Sequence, residues 1–277
     1  MKNLKDLKAE NKIPVEPQDN LYKVEVKVDK AGCLSLPPEI LAHLGGAPGA
    51  SLHLVKESGQ VRLEPNLHAL RRLYLEPTTA CNLSCQTCIR HTWSEAPGFI
   101  SRELVKKVAS EIKDFPFLQS IMLAGFGEPL VHRDIAWIVE KLKTASSASI
   151  EITTNGTLLD ETMARDLLEA GLDRLWVSFD GSSESSFNDI RRGASFNFVL
   201  QNVQRIRDLA AGRNKPFSLG ISFVVMRDNI NELKNIERLI EATGADSLLL
   251  TNVLPYTEDM ERQMVCPLAL TGETFTS

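Results

Sequence analysis

The chain has 277 residues, 43% of them hydrophobic and 24% charged, with a formal net charge of -5 and a pI near 5.7. That is enough apolar material for one large packed domain and a small one, and the acidic balance makes no whole-chain case for nucleic acid or an anionic membrane. No apolar run approaches the ~20 residues that cross a bilayer, and Met1–Asn20 lacks the apolar core of a signal peptide, so the cytoplasm is the expected compartment.

Residues 1–20 mix Lys, Glu, Asp, Asn and Pro without a period and read as a flexible leader. Val24, Val26 and Val28 then alternate with charged residues, which predicts a half-buried strand over Tyr22–Val28. Asp29–Gly32 turns the chain into a second short strand, Cys33–Leu36. Pro37-Pro38-Glu39 opens a helix over Ile40–Leu44, which Gly45-Gly46 closes. Ala50–Lys56 and Gln60–Glu64 form a hairpin about Ser58-Gly59. Cys33 reads as a small filler in this segment.

Gly32, Leu36, Pro37, Glu39, Ile40, Leu44, Gly45, Pro48 and Gly49 together resemble the SpoVT/AbrB swapped-hairpin domain. The resemblance implies a small, mostly-β domain at residues 21–66 that forms homodimers and, in many relatives, binds DNA. Here five basic residues face five acidic ones between Leu21 and Pro65. DNA affinity rests on clustered Lys and Arg, so dimerisation or docking of a protein substrate is the expected role, ahead of DNA binding.

From Leu73 onward strand and helix patterns alternate. The predicted strands are Leu73–Glu76, Ser120–Leu123, Ser149–Thr153, Arg174–Phe179, Phe217–Val225 and Ser247–Val253. The helices between them begin near Arg102, Ile135, Glu161, Ser195 and Asn231, with Asp134 and Asp160 as expected N-caps and Gly171 and Gly244 as stops. Six such repeats predict an α/β fold, a parallel sheet curled as a partial (β/α)6 barrel over residues 67–256, with chemistry at the C-terminal strand ends. Beyond Val253 no terminal helix or strand is legible.

The strand ends carry the motifs. After the first strand comes Cys81-Asn-Leu-Ser-Cys85-Gln-Thr-Cys88, a C-x3-C-x2-C spacing. Five cysteines, three of them bunched, suit metal binding in a reducing compartment better than a disulfide framework. Two metals fit the spacing. Three thiolates on a four-iron cluster leave one iron open, and three thiolates with His91 make a tetrahedral zinc site. After the second strand stands Gly125-Phe126-Gly127-Glu128-Pro129, where glycines permit close backbone approach and a carboxylate can accept from an ammonium. Thr153-Thr154-Asn155-Gly156 follows the third strand, and Ser178-Phe179-Asp180-Gly181 the fourth, with Ile190-Arg191-Arg192-Gly193 beyond it.

In order and placement these elements resemble the radical S-adenosylmethionine (SAM) enzymes. The resemblance implies that Cys81, Cys85 and Cys88 hold a [4Fe-4S] cluster and that Glu128 with the Gly125, Phe126 and Gly127 backbone orients SAM. Asn155, Ser178 and either Arg191 or Arg192 complete the pocket. It implies reductive cleavage of SAM to methionine and a 5′-deoxyadenosyl radical that abstracts a substrate hydrogen, with electrons from a flavodoxin or ferredoxin. One departure is Thr87, where the family usually places an aromatic residue near the adenine.

The run Cys88 to Gly98, with Trp93 within it, is similar to that of the maturases associated with tungsten-cofactor oxidoreductases, which carry a C-terminal SPASM cluster domain. This implies a protein, peptide or pterin-type cofactor as substrate. A small-molecule substrate and a DNA-binding sensor are the alternatives. Residues 257–277 hold only Cys266, so the sequence either stops at the start of an auxiliary-cluster domain or lacks those clusters.

Overall fold

The computed structural model describes residues 26–27, 29–43, 52–57, 59–65 and 70–266. The chain divides into two compact units, Met1–Asn66 and Leu67–Ser277.

In the first unit the carboxylate of Asp29 accepts from Ala31 N and Cys33 N, each at 2.8 Å, and Gly32 takes φ +82° to complete the turn. Cys33–Leu36 forms no strand beyond a single bridge residue at Leu34, and Cys33 is exposed and fills no core. Helix α1 is Pro38–His43. Strands β1, Leu52–Glu57, and β2, Gln60–Pro65, pair antiparallel from Leu52↔Pro65 to Glu57↔Gln60, with Gly59 at φ +85° in the connection. Most of the expected strand Tyr22–Val28, and the Gly45-Gly46 and Pro48-Gly49 pairs, lie outside the described residues.

The second unit is a six-stranded parallel sheet in the order of the chain: β3 Arg72–Leu75, β4 Ser120–Leu123, β5 Ser149–Thr154, β6 Arg174–Ser178, β7 Ser218–Val225 and β8 Ser247–Asn252. Helices α2 Arg102–Glu111, α3 Ile135–Ala145, α4 Glu161–Ala170, α6 Phe196–Ala211 and α7 Ile236–Thr243 connect successive strands. Alternation puts Ile121, Leu123, Ile150, Ile152, Leu175 and Val177 on the helix-covered face, all wholly buried. Each such burial is worth roughly 1.5–3 kcal/mol, so this layer dominates the stability of the unit. On the other face Trp176 lies over Gly220, where any Cβ would strike the indole, and its Nε1 donates to Glu151 Oε2 at 3.0 Å.

Asp160 caps α4 as expected, accepting from Met163 N at 2.8 Å, and Gly171 closes it at φ +96°. Asp134 occupies the N-cap of α3 but makes no side-chain capping bond. Its carboxylate pairs instead with Arg102 on α2, a charge-assisted contact that outcompetes an uncharged backbone N–H. Two short helices were not legible. These are α5, Glu184–Ile190, inserted after β6, and α8, Glu258–Gln263, capped by Thr257 and anchored by buried Met260. Among the described residues no helix is long and apolar enough to cross a membrane.

Candidate functional site

The cysteine loop is closed at its base by a strap. Thr78 bridges Phe99, Thr79 N donates to Gly98 O at 3.0 Å, Thr78 Oγ1 donates to the same oxygen at 2.7 Å, and Ile100 N donates to Pro77 O at 2.8 Å. Its far side is tied to the end of α5, with Ser84 N donating to Arg192 O at 3.1 Å and Gln86 N to Ile190 O at 2.9 Å. The loop that carries Cys81, Cys85 and Cys88 is thus held at both ends.

The three thiols lie close enough to act on one another electrostatically. Burial pushes the Cys81 thiol up, against a hydrogen bond from Leu83 N, and Glu128, Arg90 and Cys88 act on it in turn. Burial also pushes Cys85 up, opposed by the Arg191 guanidinium, with Asp180, Cys81 and Cys88 adding to the rise. His91 does not join them as a ligand set. Its Nε2 sits 2.8 Å from Cys85 O and donates to it, since a carbonyl only accepts. Among the described residues no three His, Cys, Asp or Glu side chains are grouped about one ion position.

Glycines 125 and 127 permit a close approach, and what approaches is the chain itself. A Cβ on Gly125 would overlap the Glu76 side chain, and one on Gly127 would strike Thr78 O and come within 2.7 Å of Ala80 O. Glu76 Oε1 accepts from Phe126 N at 2.6 Å, and Glu128 N donates to Ala80 O at 2.8 Å. The glycine turn is therefore locked to the residue before Cys81. The Phe126 ring stays 45% exposed and meets Trp93 of the cysteine loop edge-on, centroids 4.8 Å apart.

Glu128 is buried and already accepts three bonds. Thr154 Oγ1 donates to Oε1 at 2.6 Å, Leu130 N donates to Oε1 at 3.1 Å, and Asn155 N donates to Oε2 at 2.7 Å. Burial still pushes its carboxyl pKa up, outweighing those donors and Arg191. A carboxylate offers about four lone-pair sites, so one remains on Oε2.

Ser178 ends β6 and is buried. Two residues on, wholly buried Asp180 accepts from Val224 N at 2.9 Å through Oδ1, and its Oδ2 lies 2.7 Å from Arg191 Nη2. That contact has an ion-pair distance but not hydrogen-bond geometry, and among the described residues buried Arg191 Nε has no partner. Burial works against the Arg191 charge, yet Asp180 and Cys85 hold its pKa above the ordinary value. Arg192 differs. It is exposed and lines an outer cavity of about 630 Å³ with Thr87, His91 and α8.

A cradle of three thiols beside a buried, unspent guanidinium nitrogen suits a group of negative charge, as an iron–sulfur cluster with three thiolates is. Residues 75–240 match the radical SAM superfamily. The chain belongs to that superfamily. Its cofactors are accordingly a [4Fe-4S] cluster and SAM.

This radical SAM chain is 31% identical over 200 residues to the "Tungsten-containing aldehyde ferredoxin oxidoreductase cofactor-modifying protein" of Pyrococcus furiosus, which covers 71% of this chain and 55% of that protein. It is 32% identical over 178 residues to a "Probable GTP 3',8-cyclase" of Sulfurisphaera tokodaii, covering 64% and 54%. It spans little more than half the length of either relative. The crystal structure of methylornithine synthase superposes with a TM-score of 0.55 at 14% identity, over 68% of this chain and 54% of that one, which supports the curled partial-barrel fold.

Sequence reasoning missed Glu76, Thr78 and Asp180 as parts of the site. Asp180 stood inside a motif that drew attention to Ser178, Glu76 carries no local signal because its partners lie 50 and 51 residues away, and Thr78 pairs with Gly98 twenty residues on besides accepting locally from Ala80 N.

Proposed function

We propose that this chain is a radical SAM maturase whose Cys81, Cys85 and Cys88 hold the cluster and whose substrate is a protein, a peptide or a pterin-type metal cofactor. The observation that carries the reading is the meeting of three thiols, Arg191 and Glu128 at one rim of the barrel. When bound, the cluster and SAM supply one-electron chemistry that ends in abstraction of a substrate hydrogen. The protein's share is orientation and charge. Arg191 receives the SAM carboxylate with its unspent donor, a task for a planar fork fixed by Asp180. Glu128 takes the ammonium on its remaining lone pair, Ser178 and Asn155 border the nucleoside, and Phe126 with Trp93 forms an apolar wall that limits water.

The cofactor-modifying relative supports the substrate class. Electrons come from a low-potential carrier such as flavodoxin or ferredoxin. Residues 21–66 form a SpoVT/AbrB-like domain that dimerises or docks the substrate, since their balanced charge does not favour phosphate contacts.

Anaerobic reconstitution tests this reading. Four irons per chain and dithionite-dependent SAM cleavage are expected, followed by deuterium transfer to one member of a screen of partner proteins and cofactor precursors. Well under four irons would refute it.

A further inference from the structure

We propose that Asn155 sets the reduction potential of the cluster by donating a hydrogen bond from its side-chain amide to Cys81 Sγ. Asn155 is 5% exposed, and its Nδ2 lies 3.9 Å from that sulfur and 3.0 Å from Asn82 Oδ1. The two amide protons therefore have two acceptors, one of them the thiol.

The direction of the amide is not free. Asn155 Oδ1 accepts from Thr157 N at 2.9 Å and from Thr157 Oγ1 at 2.6 Å, which fixes which end of the amide faces the loop. Asn82 Nδ2 donates to Thr157 Oγ1 at 2.8 Å, and Asn82 Oδ1 accepts from Asn155. Three side chains thus close a ring in which every bond agrees in sense, and the proton left over points to sulfur. An amide flip would set Asn155 N–H groups against Thr157 N–H and set two oxygens face to face, so the ring excludes it.

Hydrogen bonds to cluster sulfurs stabilise the more negative, reduced state, and with net charge and exposure they set the potential. Asn155 acts through Cys81, as a positioning residue for the electron-transfer step. The same ring fastens the cysteine loop to the β5–α4 turn.

The inference rests on the cluster assignment proposed above, and the test separates the two. Wild type, Asn155→Ala and Thr157→Val are reconstituted anaerobically, their iron is counted, and the midpoint potential is measured by EPR-monitored titration without SAM. Omitting SAM removes any contribution from a contact between Asn155 and the nucleoside. Asn155→Ala is expected to hold four irons and to show a reduced-to-oxidised ratio about tenfold lower at a fixed applied potential, a shift of about 59 mV to the negative for one electron. Thr157→Val keeps the backbone donor to Asn155 Oδ1 but removes the hydroxyl that closes the ring, so it loosens the amide and should shift the potential the same way by less.

A loaded Asn155→Ala protein at the wild-type potential overturns the inference and leaves the cluster assignment standing. Well under four irons in the wild type overturns the cluster assignment itself. If only Asn155→Ala fails to load, Thr157→Val decides: a negative shift supports the inference and an unchanged potential overturns it.

Discussion

Two buried acidic groups of the rim, Glu128 and Asp180, are handled in opposite ways. Glu128, at the ends of β4 and β5, is surrounded by three uncharged donors from its own chain, so most of its hydrogen-bonding capacity is consumed in holding strand ends together. Asp180, beyond β6, is matched with a full charge, and that partner keeps a buried nitrogen unspent beside Cys85. One wall is self-satisfied scaffold; the other offers charge to a ligand. Buried unpaired donors are rare in folded proteins, so the second wall is where a bound anion is expected.

Both walls lose their purpose if the thiols between them go, and Cys85→Ala should have the largest effect. With two thiolates left, iron content is expected to fall well below four per chain and SAM cleavage to vanish, with little change in the far-ultraviolet circular dichroism of the apoprotein. Next in size is Arg191→Ala. It strands a wholly buried carboxylate, and breaking a buried pair from one side costs about 3–5 kcal/mol, read as a drop in the denaturation midpoint of the apoprotein. Arg191→Lys sharpens the comparison because the charge stays and the fork is lost. Stability should largely recover while SAM affinity, measured by calorimetry on the loaded protein, remains weaker by roughly tenfold, the loss of about one charge-assisted bond.

The contrast between the walls also marks what the sequence could show. The sheet was legible because short apolar, β-branched-rich runs recur between helical patterns, and β3, β5 and most of β6 are buried on a period of two. Ser120–Leu123 was predicted with the bounds it has, and the other five strands shift by at most a residue at either end. Helices α5 and α8 were not, since six or seven residues carry too few apolar positions to show a period. At the rim, residue types and order pointed to the right chemistry. Who holds whom was not readable, because the bonds of Glu76 to Phe126, Glu128 to Asn155 and Asp180 to Val224 span 50, 27 and 44 positions. The glycines show the cost of local reading, since the space they leave is filled by Glu76 and by the Thr78 and Ala80 carbonyls.

Gly127→Ala tests the scaffold wall through packing alone. The new methyl would meet backbone carbonyls that cannot swing aside as a side chain would, so the turn must move away from the cysteine loop. Overpacking of this kind costs about 1–3 kcal/mol. A lowered thermal midpoint and weaker SAM binding are expected, with iron content nearly unchanged; an unaltered midpoint would mean the turn is looser than its contacts imply.

The smallest effect is a pH slope, and it isolates Glu128 from its neighbours. Burial raises its pKa in the folded chain above that in the unfolded chain. The folded state therefore retains this proton where the unfolded state has lost it. The stabilisation that results is complete below the ordinary glutamate value and disappears as pH rises through the folded value. Glu128→Gln cannot titrate, so its apoprotein should lose less stability than wild type between mildly acidic and neutral pH in urea denaturation. Its amide would also present N–H to one of the three donors that the carboxylate satisfies, which lowers stability at acidic pH. The two curves should then converge toward neutrality. Parallel curves would mean that the three donors hold the carboxylate ionised throughout, and the scaffold wall would then carry charge as the Arg191 wall does.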